Sequence, residues 1–382
     1  MKNSKRIRVA YITNILPNYR KGFYEKLFQS QEISLDVYAQ TEAHSMKSAL
    51  NDIFPDNVKV IEHIDFLNNR LTWQKLPWVK LYKEYDVLKI DGNPRVITHF
   101  LIATIYMLLG KKVILYSMLH SYKNNRINKL IRITWMRLFQ YHLLHNEEEI
   151  KTLRTKKGFG TKTMVAYNNG IDQKLIDAQK VIWTKQKIEN WKKEQKTEDK
   201  ISLLTCGRVT IGKYEILLDA IHLLKTSCPN IICHIIGDGD GMEILREKVK
   251  NLNLQANVRL EGEIYEEDKL APFFISSNFF VYPFAIGLSI NHAFGYGLPT
   301  ITHDNLSEHG PEIILFQNGI NGLSYKQNNV EDLANKISEL IQDEEKVLRM
   351  GKNAHDLVSK KFNVDNMADS LINLIKVADT DK

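Results

Sequence analysis

Residues 278–302 read NFFVYPFAIGLSINHAFGYGLPTIT, two short apolar runs around one segment rich in small residues. Asn278–Tyr282 predicts a strand, the segment around His292 predicts a helix, and Thr300–Thr302 predicts a second strand. A strand, a helix and a strand in this order form a βαβ unit, which places both strands parallel in one sheet. This stretch therefore favours an α/β fold.

A phosphate site is predicted where the first of these strands gives way to the helix. Gly287 permits a tight entry into a helix that begins near Ser289. The backbone N–H groups of Leu288, Ser289 and Ile290 would then lack partners inside the helix, and the helix dipole favours an anion there.

The same alternation of strands and helices extends in both directions along the chain. Downstream of a polar segment, it predicts the strand Ile201–Cys206, the helix Tyr214–Leu224 and the strands Ile231–Ile236 and Val258–Leu260. The first half predicts a parallel sheet of its own. Its predicted strands are Arg6–Thr13, Ser34–Ala39, Val87–Ile90, Lys112–Tyr116 and Met164–Tyr167.

Length and composition agree with two globular domains. The chain has 382 residues, of which 43% are hydrophobic and 25% are charged, and domains usually hold about 100–200 residues. We predict an N-terminal domain over 1–175, a helical linker over 176–200 and a second domain over 201–360. Two helices are predicted from Val330, with a break near 362–363, and residues 361–382 are expected to pack on the N-terminal domain.

The positive charge is concentrated in the first half. Residues 1–150 hold 22 Lys+Arg against 14 Asp+Glu, whereas the remainder holds 30 against 31. Such asymmetry indicates an anionic partner, which could be a nucleic acid, a membrane surface or a phosphorylated substrate. The sequence has no nucleic-acid-binding motif, so we expect no nucleic acid partner.

Two basic stretches of this half contain tryptophans, Arg70–Lys89 and Tyr122–His142. Basic faces with tryptophan suit an anionic membrane interface, but a solvated basic face over a core helix has the same pattern. Both interpretations stay open from the sequence.

The cysteines and the apolar runs of the sequence indicate where in the cell the protein is expected. The three cysteines form no CxxC pair, which indicates a reducing, cytoplasmic location. The first apolar run is too short for a signal peptide, and Phe100–Leu109 is too short to span a bilayer. We expect a cytoplasmic protein that is neither exported nor membrane-spanning.

Two glycine loops follow predicted strands of the second half. In Gly207–Lys213, the cations Arg208 and Lys213 are spaced to clamp a diphosphate, although solvated side chains give the same pattern. In Gly237, Asp238 and Gly239, the spacing of a dinucleotide fingerprint is not met, and a lone acidic pair inside a glycine turn is a weak metal signal. We interpret this second loop as a bare turn that lines a ligand site, and we expect no metal and no cofactor.

The order of these motifs resembles the C-terminal domain of glycosyltransferase family 4. These are retaining enzymes of the GT-B fold, in which two Rossmann-like domains face each other across a cleft. The resemblance implies that Arg208 and Lys213 bind the phosphates of the donor. It likewise implies that the Gly237–Asp238 turn lines the donor site and that Gly262, Glu263 and Ile264 contact the base.

The chain departs from the family at two positions. The family usually has two glutamates eight residues apart around the Gly287 helix, one for the donor sugar or phosphate and one for the ribose. Here these positions hold Phe284 and His292. Neutral His292 can still hydrogen-bond a ribose hydroxyl, whereas Phe284 cannot replace a carboxylate. We also expect a donor contact from Glu308, His309 or Glu312 to compensate in part.

In the N-terminal half the resemblance is looser and runs through residues 16–20 (LPNYR) and 169–172 (NGID). His120 follows a predicted strand and is the candidate for contact with the sugar or the acceptor. Asn14, Tyr19 and Arg20 are expected on the acceptor side, because ligands of open α/β sheets bind at the carboxyl ends of the strands.

Together these patterns predict a metal-independent enzyme that transfers a sugar from a nucleoside diphosphate donor to a lipid-linked or polysaccharide acceptor, with retention of configuration. Two alternatives remain open. A GT-B-fold epimerase would convert the donor alone into an isomer. A non-catalytic subunit would bind a sugar nucleotide without turnover, which the replaced glutamates would explain.

Overall fold

The computed structural model of the chain describes residues 5–43, 46–68, 70–93, 95–119 and 126–381. Contacts between backbone segments divide the chain into two compact units. Unit 1 comprises Met1–Asn169 and Val364–Lys382, and unit 2 comprises Gly170–Asn363.

The strands in the described part of unit 1 form one large parallel sheet and two short antiparallel pairs. They are β1 (Ile7–Ile12), β2 (Ile33–Ala39), β3 (Glu42–Ala43), β4 (Met46–Lys47), β5 (Val58–Val60), β6 (His63–Phe66), β7 (Leu71–Gln74), β8 (Val87–Asp91), β9 (Lys112–Ser117), β10 (Tyr141–Leu144) and β11 (Thr163–Ala166). Among the described residues, seven of them form one parallel sheet in the order β11-β10-β9-β8-β1-β2-β5. The short pairs β3–β4 and β6–β7 are antiparallel.

Helices cover both faces of this sheet. They are α1 (Lys21–Gln29), α2 (Trp78–Glu84), α3 (Ile97–Leu108), α4 (Arg126–Met136) and α5 (Glu147–Arg154). Successive side chains of a strand point to opposite faces. In β1, Val9 and Tyr11 therefore pack with α1, while Ala10 and Ile12 belong to the cluster that includes α2, α3 and α4.

Unit 2 repeats the plan with a second parallel sheet. Its strands are β12 (Ile201–Cys206), β13 (Ile231–Ile236), β14 (Val258–Gly262), β15 (Phe279–Val281), β16 (Thr300–His303) and β17 (Gly322–Tyr325). Their order is β14-β13-β12-β15-β16-β17. Its helices are α6 (Gln173–Ile182), α7 (Lys185–Glu194), α8 (Glu215–Leu224), α9 (Met242–Asn251), α10 (Glu267–Ser276), α11 (Ser289–Tyr296), α12 (Val330–Ile341) and α13 (Glu344–Lys360).

The last helix, α14 (Val364–Thr380), belongs to unit 1. Its residues Met367 and Leu371 are fully buried in one cluster with Phe23 of α1. An ion pair of 2.8 Å joins Lys26 of α1 to Asp365. The expected return of the C-terminal helix to the first domain is confirmed, as is the prediction of two Rossmann-like domains with parallel sheets.

Several elements differ from the sequence predictions. Neither β10 nor β17 was predicted, and β10 begins at the end of the stretch Tyr122–His142, which was interpreted as amphipathic and basic. Three helices rather than two follow residue 330, because the chain breaks at residues 342–343 as well as at 361–363. Residues 176–200, predicted as a linker, contain most of α6 and all of α7, and Trp183 and Trp191 pack against the apolar core of unit 2.

No helix in the described ranges combines the length and the apolar character that crossing a bilayer requires.

Candidate nucleotide-binding site

The loops that carry the predicted motifs lie at one edge of the unit 2 sheet. β12, β13 and β15 are neighbouring parallel strands, so the loops after them meet at their carboxyl ends. Open α/β sheets bind their ligands at this edge. The loops span residues 207–214, 237–241 and 282–288.

The first two loops are joined through their backbones. The Gly207 N–H donates to Ile236 O at 2.9 Å, and the Val209 N–H donates to Asp238 O at 3.0 Å. Gly237 has a φ of 141°, and a Cβ on it would lie 2.1 Å from Gly207 O. Only glycine fits there, and its lack of a side chain lets the two loops approach each other closely.

Lys213 is buried beside these loops, and no described residue gives it an anionic partner. Its Nζ donates to Arg208 O at 2.5 Å and lies 4.9 Å and 4.7 Å from the ring centroids of Tyr214 and Tyr282. Its exposed fraction is 6%, and among the described residues no carboxylate lies within ion-pair distance of it. Burial lowers the pKa of Lys213 to about 8. An external anion would relieve this cost of desolvation.

Arg208 is exposed on the same loop. Its Cγ lies 3.4 Å from the position that a Cβ would take on Gly239, so the side chain passes along the second glycine turn. In the described part of the chain, its guanidinium has no hydrogen bond or ion pair. The structure thus brings Arg208, Lys213 and the glycine turn together, in the arrangement that suits a diphosphate.

Asp238 closes its own turn, because its Oδ1 accepts the N–H of Gly239 at 2.7 Å. This agrees with the interpretation of the motif as a turn. No group of three His, Cys, Asp or Glu side chains able to hold a metal ion is found among the described residues.

The loop after β14 joins the same edge. The Gly262 carbonyl accepts the Gly237 N–H at 2.7 Å, which fixes the loop beside the glycine turn. Exposed Glu263 accepts a hydrogen bond from the Tyr265 hydroxyl at 2.9 Å, and Ile264 is half-buried. These residues lie where contact with a base was expected, and their role remains a prediction.

The N-terminus of α11 differs in one respect from the expectation. The Ile290 N–H is not free, because it donates to Gly287 O at 3.1 Å and closes a tight turn at the start of the helix. The N–H groups of Leu288 and Ser289 have no hydrogen-bond partner among the described residues. Two backbone donors, rather than three, are therefore available to a phosphate.

His309 holds the loop that leads into α11. Its Nδ1 accepts the Ile286 N–H at 3.0 Å, and its Nε2 donates to His303 O at 2.9 Å. Buried Glu312 lies close to this loop, with Oε2 3.7 Å from the position of a Cβ on Gly287. The sequence had placed His309 and Glu312 only as possible donor contacts, together with Glu308. In the structure His309 positions the loop.

His292 is engaged with a carboxylate that the sequence did not single out. Its Nε2 lies 2.9 Å from Glu267 Oε1, and its ring stacks on Phe274 with 4.4 Å between centroids. By contrast, Phe284 is exposed, and its side chain has no polar group that could bind a ligand. Glu267 was missed because it lies 25 residues from His292 and on another helix.

In unit 1, Tyr19 and Arg20 lie together. The Arg20 guanidinium carbon is 5.2 Å from the Tyr19 ring and 5.8 Å from the Tyr167 ring, and Nη1 lies 3.0 Å from Met367 Sδ. Within the described residues it has no carboxylate partner. Arg20 lies in the connection between β1 and α1, which begins at the carboxyl end of the sheet.

Asn14 lies elsewhere at this edge. With Gln40, Asp65 and Arg95 it lines a small polar cavity of about 10 Å³, enough for one water molecule. His120, the candidate for contact with the sugar, lies outside the described residues.

The family described as glycosyl transferases group 1 matches residues 186–357. This segment contains each motif of the site in unit 2. The resemblance to glycosyltransferases inferred from those motifs is thereby confirmed for this part of the chain.

Two curated relatives are similar to parts of the chain. A poly(ribitol-phosphate) alpha-N-acetylglucosaminyltransferase of Staphylococcus aureus is 24% identical over 49% of this chain and 37% of its own length. An uncharacterized glycosyltransferase of Methanocaldococcus jannaschii is 26% identical over 68% of this chain and 67% of its own length. The chain thus spans well under half of the first relative and about two thirds of the second.

Among solved structures, Anabaena HepE in complex with UDP superposes with a TM-score of 0.70 at 14% identity. The match covers 97% of this chain and all of that one. The likeness shows the fold, which is GT-B. The matching family model and both curated relatives are glycosyltransferases.

Proposed function

We propose that the protein is a retaining family 4 glycosyltransferase, which moves a hexose-type sugar from a nucleoside diphosphate donor to a lipid-linked or polysaccharide acceptor in cell-surface glycan synthesis. The observation that carries this proposal is the buried ammonium of Lys213, which lies on glycine loops with the exposed Arg208. It has no carboxylate partner in the part of the chain that the structure describes. A pyrophosphate supplies the anion that this pair of cations lacks.

The same groups would act in the reaction. Transfer requires the sugar–phosphate bond to break, and negative charge then develops on the leaving diphosphate. The buried Lys213 and the two N–H groups of Leu288 and Ser289 are held in place before the reaction, so they would stabilise that charge with little reorganisation, and the exposed Arg208 would add positive charge. With these donors supplying positive charge, the proposed mechanism needs neither a metal ion nor a cofactor.

Relatives support a nucleotide sugar and an anionic acceptor. HepE was solved with UDP, and the Staphylococcus relative is named for a poly(ribitol-phosphate). The basic excess in residues 1–150 suits a negatively charged acceptor. On this proposal, Asn14, Tyr19, Arg20 and His120 serve the acceptor side, with the guanidinium of Arg20 suited to a phosphate.

The donor site is tested by titration calorimetry with UDP, GDP, ADP and CDP. Wild-type protein should bind at least one of them, and Arg208→Ala or Lys213→Ala should weaken this binding about 10- to 100-fold, the value of a hydrogen bond to a charged group. Arg246→Ala is the matched control, because Arg246 is an exposed arginine of unit 2 paired with Glu243. Unchanged affinity in both site variants would refute the phosphate assignment.

Turnover separates the proposal from its alternatives. Protein incubated with a sugar nucleotide and glycan acceptors should yield a product that NMR shows to retain the anomeric configuration. An isomer formed from the donor alone would instead identify an epimerase. Binding without any turnover would identify a non-catalytic subunit.

We further propose that the protein works as a peripheral protein on the cytoplasmic face of the membrane, through an apolar face of unit 1. Val79 and Tyr82 of α2, Leu108 of α3 and Ile131 of α4 are all exposed. Ring contacts join the three helices, Tyr82 with Tyr106 at 5.5 Å and Phe100 with Trp135 at 4.9 Å. Exposed lysines on α2 provide the charge that an anionic lipid surface attracts.

Flotation with lipid vesicles tests this surface. The wild type should bind vesicles that contain phosphatidylglycerol more strongly than vesicles of phosphatidylcholine alone. Val79→Ser with Leu108→Ser should reduce binding about 30-fold, because each substitution removes roughly 1 kcal/mol of apolar burial in the lipid interface. Val181→Ser with Leu348→Ser alters equally exposed residues of unit 2 and should have no effect. Equal vesicle binding by both double variants would contradict the proposal that this face of unit 1 binds the membrane.

A further inference from the structure

Glu267 is the centre of a compact polar cluster in unit 2. Its Oε1 accepts hydrogen bonds from His292 Nε2 at 2.9 Å and from the Tyr296 hydroxyl at 2.5 Å. The ring of Phe274 stacks on both His292 and Tyr296, with centroids 4.4 Å and 4.9 Å apart. Two donors and a stacked ring thus fix the carboxylate in one orientation.

This cluster lies beside the phosphate-binding loops. Glu267 is the first residue of α10, which follows the loop after β14, and His292 lies in the first turns of α11. Both helices therefore begin at the carboxyl edge of the sheet. Cys206, the last residue of β12, lies close enough to Lys213 and to Glu267 for both charges to act on the pKa of its thiol. The carboxylate and the ammonium are therefore both close to the end of β12.

The chemistry of the carboxylate favours a ligand with hydroxyl groups. Burial acts to raise the pKa of Glu267, but the hydrogen bonds from His292 and Tyr296 outweigh it, so the pKa is lowered and the group stays ionised at neutral pH. Both bonds reach Oε1, and Oε2 has no hydrogen-bond partner in the described part of the chain. A half-buried carboxylate oxygen of this kind accepts hydrogen bonds from hydroxyls.

We infer that Glu267 binds the ribose diol of the nucleotide, with His292 and Tyr296 as positioning residues that aim its free oxygen. A nucleoside diphosphate carries its ribose hydroxyls next to the pyrophosphate, which matches a carboxylate placed near Lys213. Acidic side chains bind ribose hydroxyls in other nucleotide-binding Rossmann folds. This inference rests on the proposed nucleotide-binding function and names the group that selects ribose.

Deoxynucleotides test the inference without an activity assay. Calorimetry would compare UDP, GDP, ADP and CDP with their 2′-deoxy and 3′-deoxy counterparts. Wild-type protein should bind the ribonucleotide about 10- to 100-fold more tightly than at least one deoxy counterpart, the value of a hydrogen bond to a charged group. Glu267→Gln removes the negative charge and replaces one of the two carboxylate oxygens by an amide donor, so it should reduce this preference to less than about threefold.

Glu266→Gln is the matched control. Glu266 precedes Glu267, is exposed and pairs with Lys269, so this variant should keep the wild-type preference. His292→Gln should lower the preference in part, because Tyr296 still holds the carboxylate. Thermal unfolding of each variant verifies that it is folded.

The outcomes separate the two proposals. Equal affinity of the wild type for ribo- and deoxynucleotides, or a full preference retained by Glu267→Gln, overturns the inference and leaves the nucleotide site intact. Failure of all four ribonucleotides to bind the wild type overturns the proposed function itself. If Glu267→Gln does not fold, the wild-type ratio and His292→Gln still decide the matter.

Discussion

Two lysines are buried among the described residues, one in each unit, and they differ in what neutralises them. In unit 1, Lys89 of β8 donates to Asp91 Oδ1 at 2.5 Å and lies 3.7 Å from the Tyr11 ring centroid. In unit 2, the contacts of Lys213 with the described residues are a backbone carbonyl and two rings. The first charge is satisfied inside its unit, whereas the second awaits an anion from outside. Two related folds thus use a buried lysine for structure in one unit and, on our proposal, for binding in the other.

The largest effect is expected from Lys89→Met. Removing one partner of a buried ion pair leaves Asp91 uncompensated and should lower the free energy of unfolding by about 3–5 kcal/mol. Urea unfolding measures the loss. Nucleotide affinity of the folded variant should be unchanged, and Lys89→Met with Asp91→Asn should recover part of the stability. A variant as stable as the wild type would contradict a structural role for Lys89.

A smaller effect is expected where the two loops of the nucleotide site approach each other. Gly237→Ala adds a Cβ 2.1 Å from Gly207 O at a φ of 141° and should cost about 3 kcal/mol. Gly212→Ala, at a φ of 82° but with open space around it, should cost only about 1 kcal/mol. Equal losses of unfolding free energy would show that close backbone approach is unimportant here.

The smallest effect has the opposite sign. Lys213→Met replaces an ammonium that has lost its water by an apolar chain of similar length, and we expect it to raise the free energy of unfolding by about 1 kcal/mol without ligand. Nucleotide should no longer raise the melting temperature of this variant. A loss of stability as large as that of Lys89→Met would indicate that Lys213 is structural.

How much the sequence predicted depends on how local each feature is. The strands of unit 2 from Ile201 to Thr302 and the glycine loops were predicted nearly residue by residue, because apolar runs and glycines mark them directly. The strand Tyr141–Leu144 was missed, since its apolar run is short and follows a basic helical pattern. Residues 185–194 looked like a linker because α7 is mostly polar and buries few side chains.

The site was predicted in the same uneven way. Arg208 and Lys213 are separated by a few residues of one loop, so their shared role was evident from spacing. The contact between Glu267 and His292 depends on how α10 packs beside α11. The hydrogen bond from Ile286 to His309 depends on how the loop before α11 lies beside the end of β16. Spacing along the chain carries no information on such contacts, and the burial of Lys213 without a carboxylate was likewise visible only in the structure.

The pH dependence of nucleotide binding tests the central claim most directly. Lys213 must be protonated to bind a diphosphate, and its pKa in the free protein is lowered to about 8. The affinity for the nucleotide that binds best should be constant from about pH 7 to 8 and then fall, approaching tenfold per pH unit.

Lys213→Arg is the control for this titration, because arginine stays charged throughout the range. Any ionisation of the nucleotide affects both proteins equally, so the difference between them reports Lys213. The account predicts a fall in affinity above pH 8 for the wild type and none, relative to the ligand's own titration, for Lys213→Arg. Identical pH profiles for the two proteins would contradict it.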